Sequence, residues 1–286
     1  FSMIRLTLTC LCLVTWFSNS AAQDAAADAT KLWEHGLTGS VAMSQVAFKD
    51  WAQGGESALA WTLNLDGKSE RKGATTDWTT SYKAGFGQTR QGDRGFRKTD
   101  DKIDLDTVLI YKVGTYINPF VSATLKTQFA NGITYDANDV GTVVSRFFDP
   151  AYLTQSAGVG YQPLPEVKTR LGAALRETST RRFTNFSDSP STLKIEDFRV
   201  DGGLESVTNV DWNLAANIIF KGKLEIFQAI TGSQKDPIVR TDTTLVMSVN
   251  KYISANINVQ VLRDKLSSPD TQIKQTLSVG LNYSVF

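Results

Sequence analysis

The chain is short of the residues that most often carry chemistry, with two cysteines and one histidine among 286 residues. Both cysteines, Cys10 and Cys12, lie in an opening stretch that reads as an export signal. Met3 and Arg5 form a positive start, Leu6–Phe17 an apolar core, and Ser18–Ala22 a run of small residues suited to cleavage. Neither thiol has the context of a lipoprotein cleavage site. Removal of residues 1–22 leaves a chain without cysteine, which excludes disulfides, thiol catalysis and cysteine metal sites together. Beyond Ala22 no apolar run approaches the roughly eighteen residues of a membrane-crossing helix, so a helical membrane protein is excluded. Excess charge of either sign is missing too, with 30 basic residues against 29 acidic. The chain therefore has no global field to draw it to nucleic acid. A mean hydropathy of -0.19 resembles a soluble protein. It also suits a membrane barrel, whose inward positions are polar and dilute the average.

What is present is alternation. Residues 23–36 read as a short leader rich in Ala and Asp, and from Leu37 onward the hydrophobic period is two. Leu59, Trp61, Leu63 and Leu65 alternate with small or polar neighbours. So do Trp78, Tyr82 and Phe86; Ile103, Leu105, Leu109 and Tyr111; and Val121, Ala123, Leu125 and Phe129. Trp212, Leu214, Ala216, Ile218 and Phe220 form a further apolar face, as do Ile253, Ala255, Ile257, Val259 and Val261. About twelve strands are predicted on this pattern, over 37–48, 57–70, 76–90, 101–113, 119–130, 153–162, 166–178, 196–208, 210–230, 239–250, 253–264 and 272–286.

Alternation alone does not separate a soluble sandwich from a barrel in a membrane, because both have one apolar face. Strand length does. Ordinary strands average about five or six residues, whereas a tilted membrane strand needs about 9–11. Aromatic residues near the ends of apolar faces (Trp61, Trp78, Tyr111, Phe129, Trp212, Phe220 and Tyr283) suit girdles at the two membrane interfaces. The connections alternate as well. Arg71–Thr75, Gly114–Asn118, Pro163–Pro165, Asn209 and Lys251–Tyr252 are short, while Gln91–Asp100, Asn131–Tyr152, Ser179–Ile195, Thr231–Ile238 and Lys265–Thr271 are longer. Lys49–Glu56 alone is brief for its place. Short turns at one end and long loops at the other are the habit of outer-membrane barrels. The expectation is an all-β, transmembrane antiparallel β-barrel of about twelve meandering strands with both termini in the periplasm of a Gram-negative bacterium. Residues 37–286 would form it.

The last strand closes such a barrel, because it must pair with the first. Ile273, Leu277, Val279, Leu281 and Tyr283 share one face of it, and Thr276, Ser278, Gly280, Asn282 and Ser284 the other. The terminal Phe286, with Tyr283, is read as the signal to the barrel-assembly machinery. Tyr283 precedes Phe286 by an odd number of residues, so a bulge near Ser284–Val285 is predicted to bring the two onto one face.

Three patches carry a resemblance: Trp51–Glu56 (Trp-Ala-Gln-Gly-Gly-Glu), Lys98–Leu105 (Lys-Thr-Asp-Asp-Lys-Ile-Asp-Leu) and Val279–Tyr283 (Val-Gly-Leu-Asn-Tyr). With their spacing they resemble an uncharacterised family of exported Gram-negative proteins, known as domain of unknown function 3078. The resemblance extends over Leu37–Phe286. It implies a barrel and an outer-membrane location, and brings no substrate or catalytic residue with it.

Candidate chemistry is sparse. Outer-membrane hydrolases need a His beside Ser or Asp as general base, and His35 falls in the leader, before the first strand. No enzyme, cofactor or metal site is expected. Asp100, Asp101, Asp104 and Asp106 could offer oxygen ligands to calcium, but their spacing is not an EF-hand. Lys98 and Lys102 lie among them, which favours salt bridges. Trp51-x-x-Gly54-Gly55 lacks the Lys-Ser/Thr of a phosphate loop and reads as a turn. Gly85-Phe86-Gly87 and Gly158-Val159-Gly160 do not open helices, and read as places where bulky inward side chains or strand curvature need room. Arg181–Phe186 mixes basic and aromatic residues in a loop, where packing is the plainer reading and contact with lipopolysaccharide the other.

The inward face decides between functions. Alternation places Asp66, Asp77, Lys83, Lys102, Lys112, Arg199 and Lys221 inside. With them go a basic stripe (Lys126, Lys168, Arg170 and Arg176) and an acidic set (Asp104, Asp106, Asp201, Glu205 and Asp211). An open bore would pass small polar solutes with a weak preference for anions, reversed by exchanging Lys168 and Arg170 for Glu. A bore filled by paired charges would make a non-conducting structural or surface-interaction barrel instead. The partners expected are outer-membrane lipid and lipopolysaccharide, the assembly machinery, and at most a small polar solute. No nucleic acid is expected, and the barrel would be a monomer.

Overall fold

The computed structural model describes residues 33–48, 55–188, 192–232 and 236–284, all within the compact unit Leu32–Phe286. The predicted signal segment 1–22, most of the predicted leader, the predicted turn at Trp51–Gly54, and Val285 and Phe286, with the bulge predicted beside them, lie outside the described residues.

Twelve strands close into one antiparallel barrel. They are β1 (Glu34–Val46), β2 (Ala58–Lys72), β3 (Thr76–Gln91), β4 (Arg97–Tyr111), β5 (Ile117–Thr127), β8 (Ala151–Leu164), β9 (Val167–Ser179), β10 (Phe198–Ala215), β11 (Ile218–Ala229), β12 (Ile238–Ser248), β13 (Ile253–Arg263) and β14 (Gln272–Ser284). The two remaining strands, β6 (Gly132–Tyr135) and β7 (Gly141–Ser145), form a separate hairpin within the longest loop. Neighbours in sequence are neighbours in the sheet, and β14 returns to β1. The shortest barrel strands have 11 residues and the longest 18, all long enough for a tilted membrane strand.

Alternation sorts the side chains as the period-two pattern requires. Val41, Leu63, Leu105, Val121, Leu171 and Leu277 point out of the barrel and are exposed, Leu171 by 51% and Leu277 by 73%. The described core is small and lies inside, where Ala174, Phe227, Ala229 and Ile238 cluster.

Glycine sets the curvature where two strands bend together. Gly158 of β8 lies directly opposite Gly172 of β9. A Cβ on Gly158 would stand 2.2 Å from the Leu171 carbonyl oxygen, and one on Gly172 2.4 Å from that of Ala157. Only glycine fits so close a backbone approach. Gly85 serves the other expected purpose, since a Cβ there would meet Lys102 Cε at 3.3 Å inside the barrel.

Several boundaries differ from the sequence reading. β1 starts at Glu34, so His35 belongs to the barrel and not to a leader. β4 starts at Arg97, which shortens the preceding loop to residues 92–96. The predicted turn at Asn209 is absent: Asn209 sits in mid-strand opposite Lys223 and Lys168, and the chain turns at Ala216-Asn217. The pattern misleads here: Ser206, Val207 and Thr208 blur the apolar face just before Asn209, while the apolar series from Trp212 to Phe220 runs on through the true turn. Trp212 and Phe220, read as one strand's face, are therefore cross-strand partners. Pro163 and Leu164 end β8, leaving Pro165-Glu166 as the turn. With these shifts the short connections are 73–75, 112–116, 165–166, 216–217 and 249–252, all at one end of the barrel.

Candidate functional site

The interior is a set of ion pairs that cross the bore. β4 supplies most of the carboxylates. Asp104 and Asp106 are successive inward residues, paired in the sheet with Lys126 and Thr124 of β5. Asp106 accepts from Arg170 of β9 at 3.1 Å and from Lys223 of β11 at 2.8 Å. Four strands lie between β4 and β11 on the shorter way round, so Lys223 reaches across the bore. Lys126 bonds Asp104 at 2.7 Å and Glu225 of β11 at 3.0 Å, and Glu225 bonds Lys223 at 2.8 Å. The chain Asp104–Lys126–Glu225–Lys223–Asp106–Arg170 is thus continuous. Asp106 and Arg170 are 8% and 7% exposed, so the centre of this chain is shielded from water.

A second set lies beside it. Asp242 of β12 stands 3.9 Å from both Lys83 of β3 and Lys102 of β4 and accepts from Asn258 Nδ2 at 2.7 Å. β4 and β12 are diametrically opposed, with five strands between them in either direction. A third set fills the long-loop end. Arg176 lies 3.5 Å from Asp264 and over the Tyr152 ring, and Arg199 Nε donates to Asp201 at 2.8 Å. Charges taken out of bulk water are tolerated only when paired, and these pairings meet that need within the wall itself.

The predicted inward residues fall as follows. Of the basic stripe, Lys126, Arg170 and Arg176 are each ion-paired, while Lys168 is exposed near the short-turn end. Of the acidic set, Asp104, Asp106 and Asp201 are paired, and Glu205 accepts from Ser156 Oγ at 2.6 Å. Asp211 is exposed opposite Lys221. The four aspartates of β4 each meet a cation: Asp100 meets Lys274 at 2.6 Å and Asp101 meets Lys98 at 2.8 Å. Asp101 also accepts from the backbone N–H groups of Phe129 and Ala130, clasping the start of the long loop.

Lys223, Glu225, Arg240, Asp242, Asp264 and Lys274 were not foreseen. Lys223 and Glu225 share the parity of Lys221 and were legible on that ground. β12 hides Arg240 and Asp242 because Thr241, Thr243 and Thr244 blur which of its faces is apolar. Asp264 follows the end of β13.

The aromatic residues divide between the two ends. Trp78, Tyr111, Trp212, Phe220 and Tyr283 lie toward the short turns, where Trp33 packs on Trp78 at 5.6 Å. Trp61 lies toward the long loops against Phe86, and Phe129 stands just beyond β5. Tyr283 pairs with Gly39 without a register shift, and the same regular ladder continues to Ser284. His35 shares the outward parity of Leu37 and Val41, and its Nδ1 lies 2.8 Å from Ser69 Oγ. In the Arg181–Phe186 loop, the backbone N–H groups of Arg181 and Arg182 donate to the Asp149 carboxylate. That bonding is the packing role.

One wall of the bore is different. Between Asp66 at one end and Lys274 at the other, the inner faces of β13, β14, β1 and β2 carry no charged side chain. Ser254, Asn256, Asn258, Thr276, Ser278, Ser40, Ser44, Thr62 and Asn64 line this side.

A closed twelve-stranded antiparallel barrel, apolar outside and ion-paired inside, is the class these features define. Residues 43–133 match a family described as a protein of unknown function (DUF3078). Lys98–Leu105 and Trp51–Glu56 fall within the match, and Val279–Tyr283 lies outside it. No curated protein matches the sequence. Among solved structures, the chain is similar to the translocator domain of autotransporter NalP from Neisseria meningitidis, at 13% identity, with 90% of this chain and 89% of that one covered and a TM-score of 0.38. It is also similar to the NanC porin (9% identity, 87% and 98% covered, TM-score 0.39). A third is the deltaS2 mutant of the TodX monoaromatic hydrocarbon channel (6% identity, 90% and 90% covered, TM-score 0.38).

Proposed function

We propose that the chain is an outer-membrane barrel of a Gram-negative bacterium whose bore is closed to ions by its own cross-bore ion pairs, and which acts as a structural or surface-interaction barrel. Its membrane placement is supported by the exposed apolar girdle, strand lengths of 11 residues or more, and a closed sheet that leaves the interior polar. The observation that carries the closure is the pair of contacts from β4 to the far wall, Lys102 to Asp242 and Asp106 to Lys223. A twelve-stranded barrel stands between eight strands, which side chains fill, and about sixteen, which leave a channel. Its contents therefore decide, and here they are bonded across the middle. The reading is non-enzymatic, because the single histidine faces outward and bonds Ser69. Lipopolysaccharide and outer-membrane lipid are its surroundings, and the assembly machinery its transient partner.

Two measurements test this. The purified protein should need detergent and migrate differently in gels when boiled and unboiled. Recovery as a soluble protein with identical mobility would overturn the membrane placement. In planar bilayers it should show no steady conductance, whereas a stable ion current would overturn the closure. The second reading is a narrow passage for small uncharged polar solutes along the neutral wall of β13, β14, β1 and β2. Liposome swelling in a neutral sugar with no ion current would favour it.

A further inference from the structure

The barrel is not equally closed around its circumference. β1 and β14 pair through five residues on each strand, from Thr38 opposite Ser284 to Ala42 opposite Gly280. The next shortest contact in the barrel, β4 with β5, has eight such pairs. β1 and β14 both continue toward the long-loop end. Their register would set Met43 opposite Val279, Ser44 opposite Ser278, Gln45 opposite Leu277 and Val46 opposite Thr276, yet none of these four pairs forms. The seam is tight at its last pair, where a Cβ on Gly280 would stand 2.8 Å from the Val41 carbonyl oxygen, and it parts immediately above. Both strands keep their other neighbour there, β1 with β2 up to Val46 and β14 with β13 from Gln272. The gap therefore separates two intact sheet edges, and is not the fraying of a strand end.

An unpaired sheet edge does not survive in hydrocarbon unless it lines a water-filled space. The wall behind this one meets that condition. Ser278, Thr276 and Asn256 face the bore and are half-buried, and Asn258 beside them donates to Asp242 at the edge of the ion-pair network. On the outside the gap is flanked by Met43, Leu277 and Val279, which are 65%, 73% and 60% exposed. A groove lined by Val41, Leu63, Tyr252, Leu281 and Tyr283 runs along the same seam toward the short turns. Hydroxyl and amide groups thus stand on one side of the gap and aliphatic groups on the other. Among the described residues no unpaired charged side chain borders it, and Lys274, the nearest inward cation on β14, is bonded to Asp100.

We propose that the long-loop half of the β1–β14 seam is a lateral slot between bore and bilayer that admits uncharged amphiphiles. Such a molecule leaves its tail among Met43, Leu277 and Val279. Its polar head meets the Ser, Thr and Asn side chains and the unpaired backbone groups of the edges. An ionised head finds no counter-charge and is disfavoured. The slot rests on the membrane placement proposed above and not on the closure of the bore to ions.

Disulfide trapping and lipid-phase quenching test it, in protein whose Cys10 and Cys12 are replaced by Ser and which has been reconstituted in phosphatidylcholine vesicles. Co-flotation with the vesicles and heat-modifiable mobility are checked first. Their loss in the parent protein would sink the membrane placement itself, a separate failure. Val41→Cys/Leu281→Cys, a paired position, should cross-link within the chain, and Met43→Cys/Val279→Cys, of the same parity, should not. Equal intramolecular cross-linking would show a zipped seam, and a cross-linked dimer would show that the edges pair with a second copy. Either result overturns the slot. A neutral fluorophore on Ser278→Cys should be quenched several-fold more by a doxyl-labelled fatty alcohol in the bilayer than one on Thr244→Cys, an inward site on β12. It should also be quenched more by the alcohol than by a doxyl-labelled fatty acid. Equal shielding at both sites would overturn the slot, and equal quenching by alcohol and acid would overturn its preference for uncharged ligands.

Discussion

Asp106 is the residue on which the interior turns. It is 8% exposed and takes two cations, Arg170 at 3.1 Å and Lys223 at 2.8 Å, with Thr124 Oγ1 as a third donor. Removing its charge leaves two buried cations facing a neutral amide. Asp106→Asn is expected to lower stability by about 3–5 kcal/mol, the usual loss when one member of a buried pair is taken away. Asp66→Asn, on an exposed residue, should stay within about 0.5 kcal/mol. Urea titration followed by tryptophan fluorescence in detergent would read both. A comparable loss at Asp66 would show that the network has no special standing. The same logic separates two members of the predicted basic stripe. Lys168 is exposed, so Lys168→Glu should insert and fold normally. Arg170→Glu places a second carboxylate against Asp106 and should deplete the heat-modifiable form. Equal recovery of the two variants would contradict the buried pairing.

At the scale of the strand, β8 and β9 bend together because their glycines coincide. Gly158→Ala would bring a Cβ to 2.2 Å from the Leu171 carbonyl, a backbone atom that cannot step aside. Gly160→Ala, two residues on and on the same face, meets nothing closer than 3.5 Å. The first should reduce the yield of folded barrel and the second leave it unchanged, measured as the unboiled fast-migrating band. Equal yields would mean that the bend is set elsewhere. β10 and β11 show the opposite dependence on sequence. Their turn needs no glycine, and an asparagine in mid-strand resembles a turn residue until its cross-strand partners are known. Asn209 holds its place because Lys168 and Lys223 flank it on either side.

For the whole molecule, closure to ions rests on few long side chains. Lys102 and Lys223 reach across the bore from opposite walls, to Asp242 and to Asp106. Lys102→Ala/Lys223→Ala should give a measurable conductance where the parent protein has none, recorded in planar bilayers after heat-modifiable folding is verified. A silent double variant would place the block in other residues. The sequence alone determined the all-β class, the number of barrel strands, the inward or outward parity of almost every residue and the alternation of turns and loops. These follow from local rules: a period of two has only two faces, and a strand of fixed rise needs a minimum length. Parity also put Asp104, Asp106, Lys126 and Arg170 inside. What parity could not decide is which inward charges meet, because Asp106 and Lys223 are separated by more than a hundred residues of chain and by the width of the bore. Their meeting depends on closure and on the stagger of the strands, which are set by all the pairings at once. The same holds for the seam between β1 and β14. Each strand is regular when read by itself, and only the way the last one lands on the first leaves their long-loop ends apart.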